Sequence, residues 1–244
     1  MPAAPVVWPP DPDRVEAIFA RLAGVMPDPK TELNYGNPYT FVVAVALSAQ
    51  ATDVAVNKAT GPLFRIADTP AKMLALGEAG LIPFIQSIGL YRTKAKNVIR
   101  AAEILQSQYG GEVPLTREAL QSLPGVGRKT ASVVLNELGI EAAIAVDTHV
   151  FRVSHRLGLA NASTPDKVEA QLFGVVPEFY LAKAHHWLIL HGRYTCKAQR
   201  PLCEGCAVAD LCPSRRFYAE APQASAAART ARAKRAGASG SKPR

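Results

Sequence analysis

From Arg14 onward, Val15, Ile18, Phe19 and Leu22 recur at i, i+3, i+4 and i+7 and define one apolar face of a helix, which Gly24 and Pro27 end. Pro38 is placed to open a second helix, and the near-unbroken apolar run from Phe41 to Leu47 reads as a helix buried on most sides. A buried strand is the alternative for so short a run. The helix is preferred because polar Gln50, Thr52, Asp53, Asn57 and Lys58 continue the segment without a turn signal, to a length beyond an ordinary strand. Further helical stretches are predicted around 70–76, 80–87, 93–108 and 116–122, each punctuated by Gly or Pro, and another from Arg128 to Leu138. Thr164 reads as an N-cap before Pro165, with Val168, Leu172 and Val175 as the inner face of the helix that follows. Nothing alternates with period two for long and no internal repeat is present, so the predicted fold class is all-α.

The two ends depart from this pattern. Residues 1–13 hold Pro2, Pro5, Pro9, Pro10 and Pro12, which block helix and leave little apolar surface, so a flexible arm is expected. Residues 219–244 turn to Ala, Ser, Arg and Lys and are expected to form a disordered basic tail. The net charge of +8 favours a polyanionic partner, but Arg229, Arg232, Lys234, Arg235, Lys242 and Arg244 against Glu220 place +5 of it in that tail. The tail can add salt-sensitive attraction to nucleic acid, whereas specific binding has to come from groups placed by the fold. At 244 residues and 48% hydrophobic, the chain can bury a sizeable core, and no apolar run reaches the roughly 20 residues of a membrane span. The N-terminal stretch has no basic region leading into an apolar one, and a cytoplasmic, nucleoid-associated protein without a membrane partner is expected.

All four cysteines fall in one segment, Cys196-x6-Cys203-x2-Cys206-x5-Cys212. Structural cysteines would scatter through a core, and a chain of this size has no need of a disulfide framework, so four thiolates converging on one metal centre is the better reading. Tetrahedral zinc and a [4Fe–4S] cluster both take four cysteines. A single tight C-x2-C pair among longer gaps leans toward the larger cluster. Lys197 and Arg200 within the loop, flanked by Arg193, Arg215 and Arg216, either balance thiolate charge or face phosphate.

Leu123-Pro-Gly-Val-Gly-Arg-Lys-Thr-Ala131 lies between two helical patterns. Gly125 and Gly127 permit a tight turn whose exposed amides, with those opening the next helix at Arg128, suit a DNA phosphate, although an ordinary helix–helix turn also uses glycine this way. Lys129 sits in the first turn of that helix, where the positive end of the dipole disfavours an ammonium. A neutral amine there could attack C1′ of a damaged nucleotide, expel the base and leave a Schiff base; a phosphate-pairing or solvated lysine is the plain alternative. Asp147, after the short apolar run Ala142 to Val146, is a good N-cap, and a carboxylate near Lys129 could also shuttle protons and stabilise developing positive charge.

Taken together, LPGVGRKTA, AVDTH, HGRYTC and the four-cysteine loop, with LSAQATD at Leu47 to Asp53 and IGLY at Ile88 to Tyr91 in order, resemble the endonuclease III family of helix-hairpin-helix DNA glycosylases over roughly Arg14 to Tyr218. The resemblance implies a [4Fe–4S] cluster on Cys196, Cys203, Cys206 and Cys212, Lys129 as nucleophile and Asp147 as its partner. It implies a two-lobed fold, with a six-helix barrel over residues 31–141 and a cluster lobe built from residues 14–30 plus 142–218. It also implies that Gln50 and Leu90 enter the duplex, one filling the gap left by the flipped nucleotide and one wedging opposite. The activity implied is that of a glycosylase and abasic-site lyase, acting as a monomer on double-stranded DNA that contains oxidised pyrimidines or abasic sites. The related adenine glycosylase branch lacks the nucleophilic lysine and carries a glutamate where this chain has Val45. Two further rivals remain at this level: a non-catalytic DNA-binding or redox-sensing protein, and a zinc module.

Overall fold

Local caps set most helix starts. Asn37 accepts from the Thr40 amide at 2.8 Å while Thr40 Oγ1 accepts from the Asn37 amide at 3.0 Å, and Pro38 occupies the first position of α2 (Pro38–Ser48). Asp11 caps α1 (Pro12–Val25), so Pro12 opens a helix instead of blocking one, and the predicted N-terminal arm is shortened accordingly. The computed structural model describes residues 7–219, and among these the chain is helical with no strand, as its periodicity predicts. The earliest part of the predicted arm and nearly all of the predicted basic tail lie outside the described residues.

After α2 come α3 (Asp53–Phe64), α4 (Pro70–Ile85), α5 (Tyr91–Gln108), α6 (Arg117–Gln121) and α7 (Arg128–Glu137), then α8 (Thr148–Leu157), α9 (Pro165–Val175), α10 (Glu178–Tyr194) and α11 (Arg216–Ala219). α4 is two helical stretches merged across Gly77, whose φ of 66° breaks the run where the sequence places a gap. One expectation fails: the second helix does not run on through Gln50 to Lys58. It stops at Ser48, the chain turns through Gln50 at φ 57°, and Thr52 starts α3 by accepting from the Ala55 amide at 3.2 Å. Thr164 does occupy the N-cap of α9, but its side chain makes no capping bond.

Two apolar cores result. The first surrounds α2, whose Phe41, Val42, Val43, Ala44, Val45 and Leu47 are all buried and pack with Leu63, Met73, Leu81, Leu105, Leu120 and Leu135 from the following helices. Each large side chain so buried contributes about 1.5–3 kcal/mol. The second joins the two ends of the described chain, since Ile18, Phe19 and Leu22 of α1 pack with Val150, Val153, Leu172, Trp187 and Leu188. α8 and α10 approach closely because position 192 is glycine: a Cβ there would stand 3.0 Å from His149 Cβ and Val153 Cγ2. Arg128 at the start of α7 pairs with Glu169 of α9 at 3.0 Å and ties the two cores together.

Candidate active site

At the seam between the cores a cavity of about 440 Å³ opens between the C-terminal end of α2 and the N-terminal ends of α7 and α8, with α10 as its back wall. It gathers Gln50, Lys129 and Asp147, residues far apart in sequence, beside Val45, His149, His185 and Arg193.

The α6–α7 turn delivers Lys129. Gly125 holds φ 84°, and a Cβ there would press on Asn97 at 3.2 Å, so glycine is required both for the turn and for its packing. Gly127 is the N-cap of α7 without any side-chain cap, and space around it is open. The first amides of α7 are therefore free to meet an anion. Lys129 is exposed in that first turn. Asp147 is half-buried and caps α8 through Oδ1, which accepts from the amides of His149 at 2.8 Å and Val150 at 2.7 Å. Those bonds fix the carboxylate at the cavity wall and do not engage Oδ2.

Gln50, Leu90 and Arg200 are the three non-glycine residues with left-handed backbone among the described residues, at φ 57°, 60° and 53°. Such a conformation costs about 1–3 kcal/mol and persists where surrounding structure imposes it. All three belong to the set of predicted DNA contacts. Gln50 is exposed at the cavity rim, whereas Leu90, 63% exposed ahead of α5, lies outside the cavity lining. Lys197 and Arg200 lie exposed on the cysteine loop, also away from the cavity lining.

Arg193 requires a correction. Grouped by sequence with the basic loop, it instead turns to the cavity, where Nη1 pairs with Glu32 and, at 2.5 Å, with Asp53. Sequence reasoning missed this cluster, as it missed α10 and its histidines. His185 is buried against the cavity, pushed down to about 3 by burial with further lowering from His186, and its Nδ1 has no partner. His186 Nε2 meets Glu137 at 3.2 Å while the Tyr35 hydroxyl donates to the same carboxylate at 2.9 Å, which holds Glu137 below the usual carboxylate range. The paired histidines in the sequence were the available signal.

All four cysteines are free thiols lining one small cavity with Leu157, His191 and Arg215. Burial pushes the Cys203 and Cys206 thiols up and Cys212 up to about 11, so without a cation these three sulfurs would hold their protons. Two buried arginines of α8 hold the loop. Arg156 donates to the carbonyls of Lys197 at 2.7 Å and Ala198 at 3.0 Å and reaches Cys196 Sγ at 3.5 Å, and Arg152 donates to the carbonyls of Cys196 at 3.2 Å and Gly192 at 2.9 Å. Among the described residues no group of three or more His, Cys, Asp or Glu side chains is gathered as a single-ion site, and no helix is long and apolar enough to cross a membrane.

Residues 43–178 match the HhH-GPD superfamily base excision DNA repair protein family. Endonuclease III of Escherichia coli (strain K12) is 53% identical over 195 residues, covering 80% of this chain and 92% of that protein. Endonuclease III of Rickettsia conorii is 54% identical over 198 residues, with coverage of 81% and 94%. The solved structure of a trapped endonuclease III–DNA covalent intermediate, an estranged-adenine complex, matches with a TM-score of 0.79 at 42% identity, covering 85% of this chain and 98% of that one.

Proposed function

Because the chain belongs to the endonuclease III family, within the HhH-GPD superfamily of base excision DNA repair proteins, we propose that it removes oxidised pyrimidines from duplex DNA through a Schiff base on Lys129. It is a DNA glycosylase with abasic-site lyase activity. The observation that carries the finer reading is the meeting of Lys129 and Asp147 on one cavity, with Gln50 at its rim and Val45, not a glutamate, on its wall. Lys129 Nζ attacks C1′ while the glycosidic bond breaks and its electron pair leaves with the base. Asp147 stabilises the positive charge that builds on the sugar and takes up the proton the amine sheds. The C1′–O4′ bond then opens, O4′ taking up a proton as the C=N bond forms, and the resulting imine acidifies C2′, so loss of a C2′ proton expels the 3′-phosphate by β-elimination, and water then releases the lysine. A lysine free of any ion pair among the described residues and a carboxylate fixed through one oxygen support these roles.

Gln50 and Leu90 are read as the residues that enter the duplex, and both are exposed and held in left-handed backbone. The free amides at Gly125, Gly127 and Arg128 suit a phosphate, and Lys197 and Arg200 are read as further backbone contacts. Residues 31–141 are assigned to the six-helix barrel and residues 14–30 with 142–218 to the cluster lobe, a division the two apolar cores support. The four cysteines are assigned to a [4Fe–4S] cluster, which takes four such ligands, and their convergence on one cavity supports the assignment. When bound, the cluster supplies a covalent brace among the four cysteines, and Arg152 and Arg156 orient the loop that carries it. A monomer acting in the cytoplasm at the nucleoid completes the reading.

Base release tests the lesion class. Given duplexes with one thymine glycol or one adenine opposite oxidised guanine, the protein is expected to excise the first and leave the second. Excision of adenine alone would move the chain to the adenine-directed branch.

A further inference from the structure

Lys94 lies one turn into α5, where a lysine ordinarily reaches water, yet it is only 8% exposed. Burying an ammonium is costly unless its donors find acceptors. Here Nζ donates to the carbonyl of Leu47 at 2.9 Å and to that of Ala49 at 2.6 Å. These carbonyls belong to the last turn and cap of α2, which lack partners within their own helix and where a cation complements the dipole. The next residue is Gln50, at φ 57°. At its other end Lys94 donates its backbone amide to the carbonyl of Leu90 at 3.0 Å, closing the turn that follows the second left-handed position. Leu90 itself has no side-chain cap. One residue thus fastens the segment before Gln50 and the segment after Leu90.

We propose that Lys94 is a positioning residue that holds Gln50 and Leu90 in fixed relation, so that both enter the duplex together as the damaged nucleotide turns out. The inference rests on the insertion roles assigned to those two side chains under the proposed function. Its physical logic is pre-organisation: the strained turn at Gln50 is held against α5 before DNA arrives by an ammonium that touches neither DNA nor the reacting atoms, while the backbone amide of the same residue closes the strained turn at Leu90. Removing it leaves Lys129, Asp147 and the α7 amides as they were, so the loss falls on opening the duplex and spares the chemistry that follows.

Lys94→Met fills the same space without donors. Single-turnover excision of thymine glycol is compared in a fully paired duplex and in the same strand with the lesion inside a mismatched bubble, where no pair has to be opened. On the paired duplex the variant is expected to lose on the order of 10- to 100-fold, and on the bubble to stay within about threefold of wild type. Gln50→Ala and Leu90→Ala give the same split, and adding Lys94→Met to Gln50→Ala gives far less than the product of the two losses. Equal losses on both substrates, or fully multiplied losses in the double variant, would reduce Lys94 to a plain structural residue and overturn the proposal. Should Gln50→Ala and Leu90→Ala treat the substrates alike while Lys94→Met separates them, the insertion roles fail and the proposal falls through its premise. If Lys94→Met does not fold, Lys94→Gln, which keeps a shorter donor, is expected to give a smaller split of the same sign, and its absence overturns the proposal equally.

Discussion

The core around α2 and the core that joins α1 to α8 and α10 are closed by different forces. Around α2 the helices meet through Phe41, Leu47, Leu63, Leu105 and their neighbours, and a buried cation, Lys94, works at the edge by the Gln50 turn. The second core is interleaved with polar groups: Arg152 and Arg156 are buried in it, donating to carbonyls of the segment that carries the cysteines. An apolar core loses stability gradually as methylenes are removed, whereas a buried guanidinium strands several acceptors at once when it goes. The candidate catalytic groups sit between the two, exposed or half-exposed, so their chemistry is separable from the stability of either core.

That contrast can be broken or sharpened in steps. The largest effect on stability is expected from Cys203→Ala, which removes one thiolate of the proposed cluster: unfolding by urea should come at least about 4 kcal/mol sooner, with loss of bound iron measured in the same samples. Arg156→Met follows, at about 3 kcal/mol, because the carbonyls of Lys197 and Ala198 lose their charged donor. A change of similar bulk in the first core, Leu105→Met, should cost less than about 1.5 kcal/mol. Asp147→Asn should lower excision about 10²-fold while leaving stability within about 0.5 kcal/mol, since asparagine caps a helix as well as aspartate. Taken one pH unit at a time, the smallest effect is a pH slope. Burial holds His185 down to about 3, so the stability of its neutral form is complete above the ordinary histidine pKa of about 6.5 and drains as pH falls below it, because the unfolded chain takes a proton the folded one refuses. Its share is about 1.4 kcal/mol per pH unit, read as the difference in slope between wild type and His185→Gln in urea titrations.

Legibility in the sequence follows the same division. The apolar face of α1, the helical stretch that forms α5, the turn at Gly125 and Gly127 and the clustering of the cysteines are local signals, and each appears where the sequence predicts it. The break at Gln50 is not local. A polar run following an apolar one reads as continued helix, and the ammonium that holds the broken end comes from Lys94, 45 residues on from Ala49. α10 escaped because its buried side includes His185, His186, His191 and Gly192, which a search for apolar periodicity passes over. Arg193 looks like one more base beside the cysteines until the fold brings it to Glu32, 161 residues away, and Asp53, 140 away. What the chain's motifs supplied jointly, through their order, was the family; what they lacked was the wall of the cavity.

The central claim is that Lys129 becomes covalently joined to the sugar of a damaged nucleotide. Borohydride added during reaction with a duplex containing one thymine glycol reduces such an imine to a stable link. Wild-type protein is expected to give a protein–DNA adduct that disappears in Lys129→Ala, with the thermal stability of that variant unchanged because the side chain is exposed. An adduct of equal yield from Lys129→Ala, or base release without any adduct from wild type, would contradict the lysine mechanism.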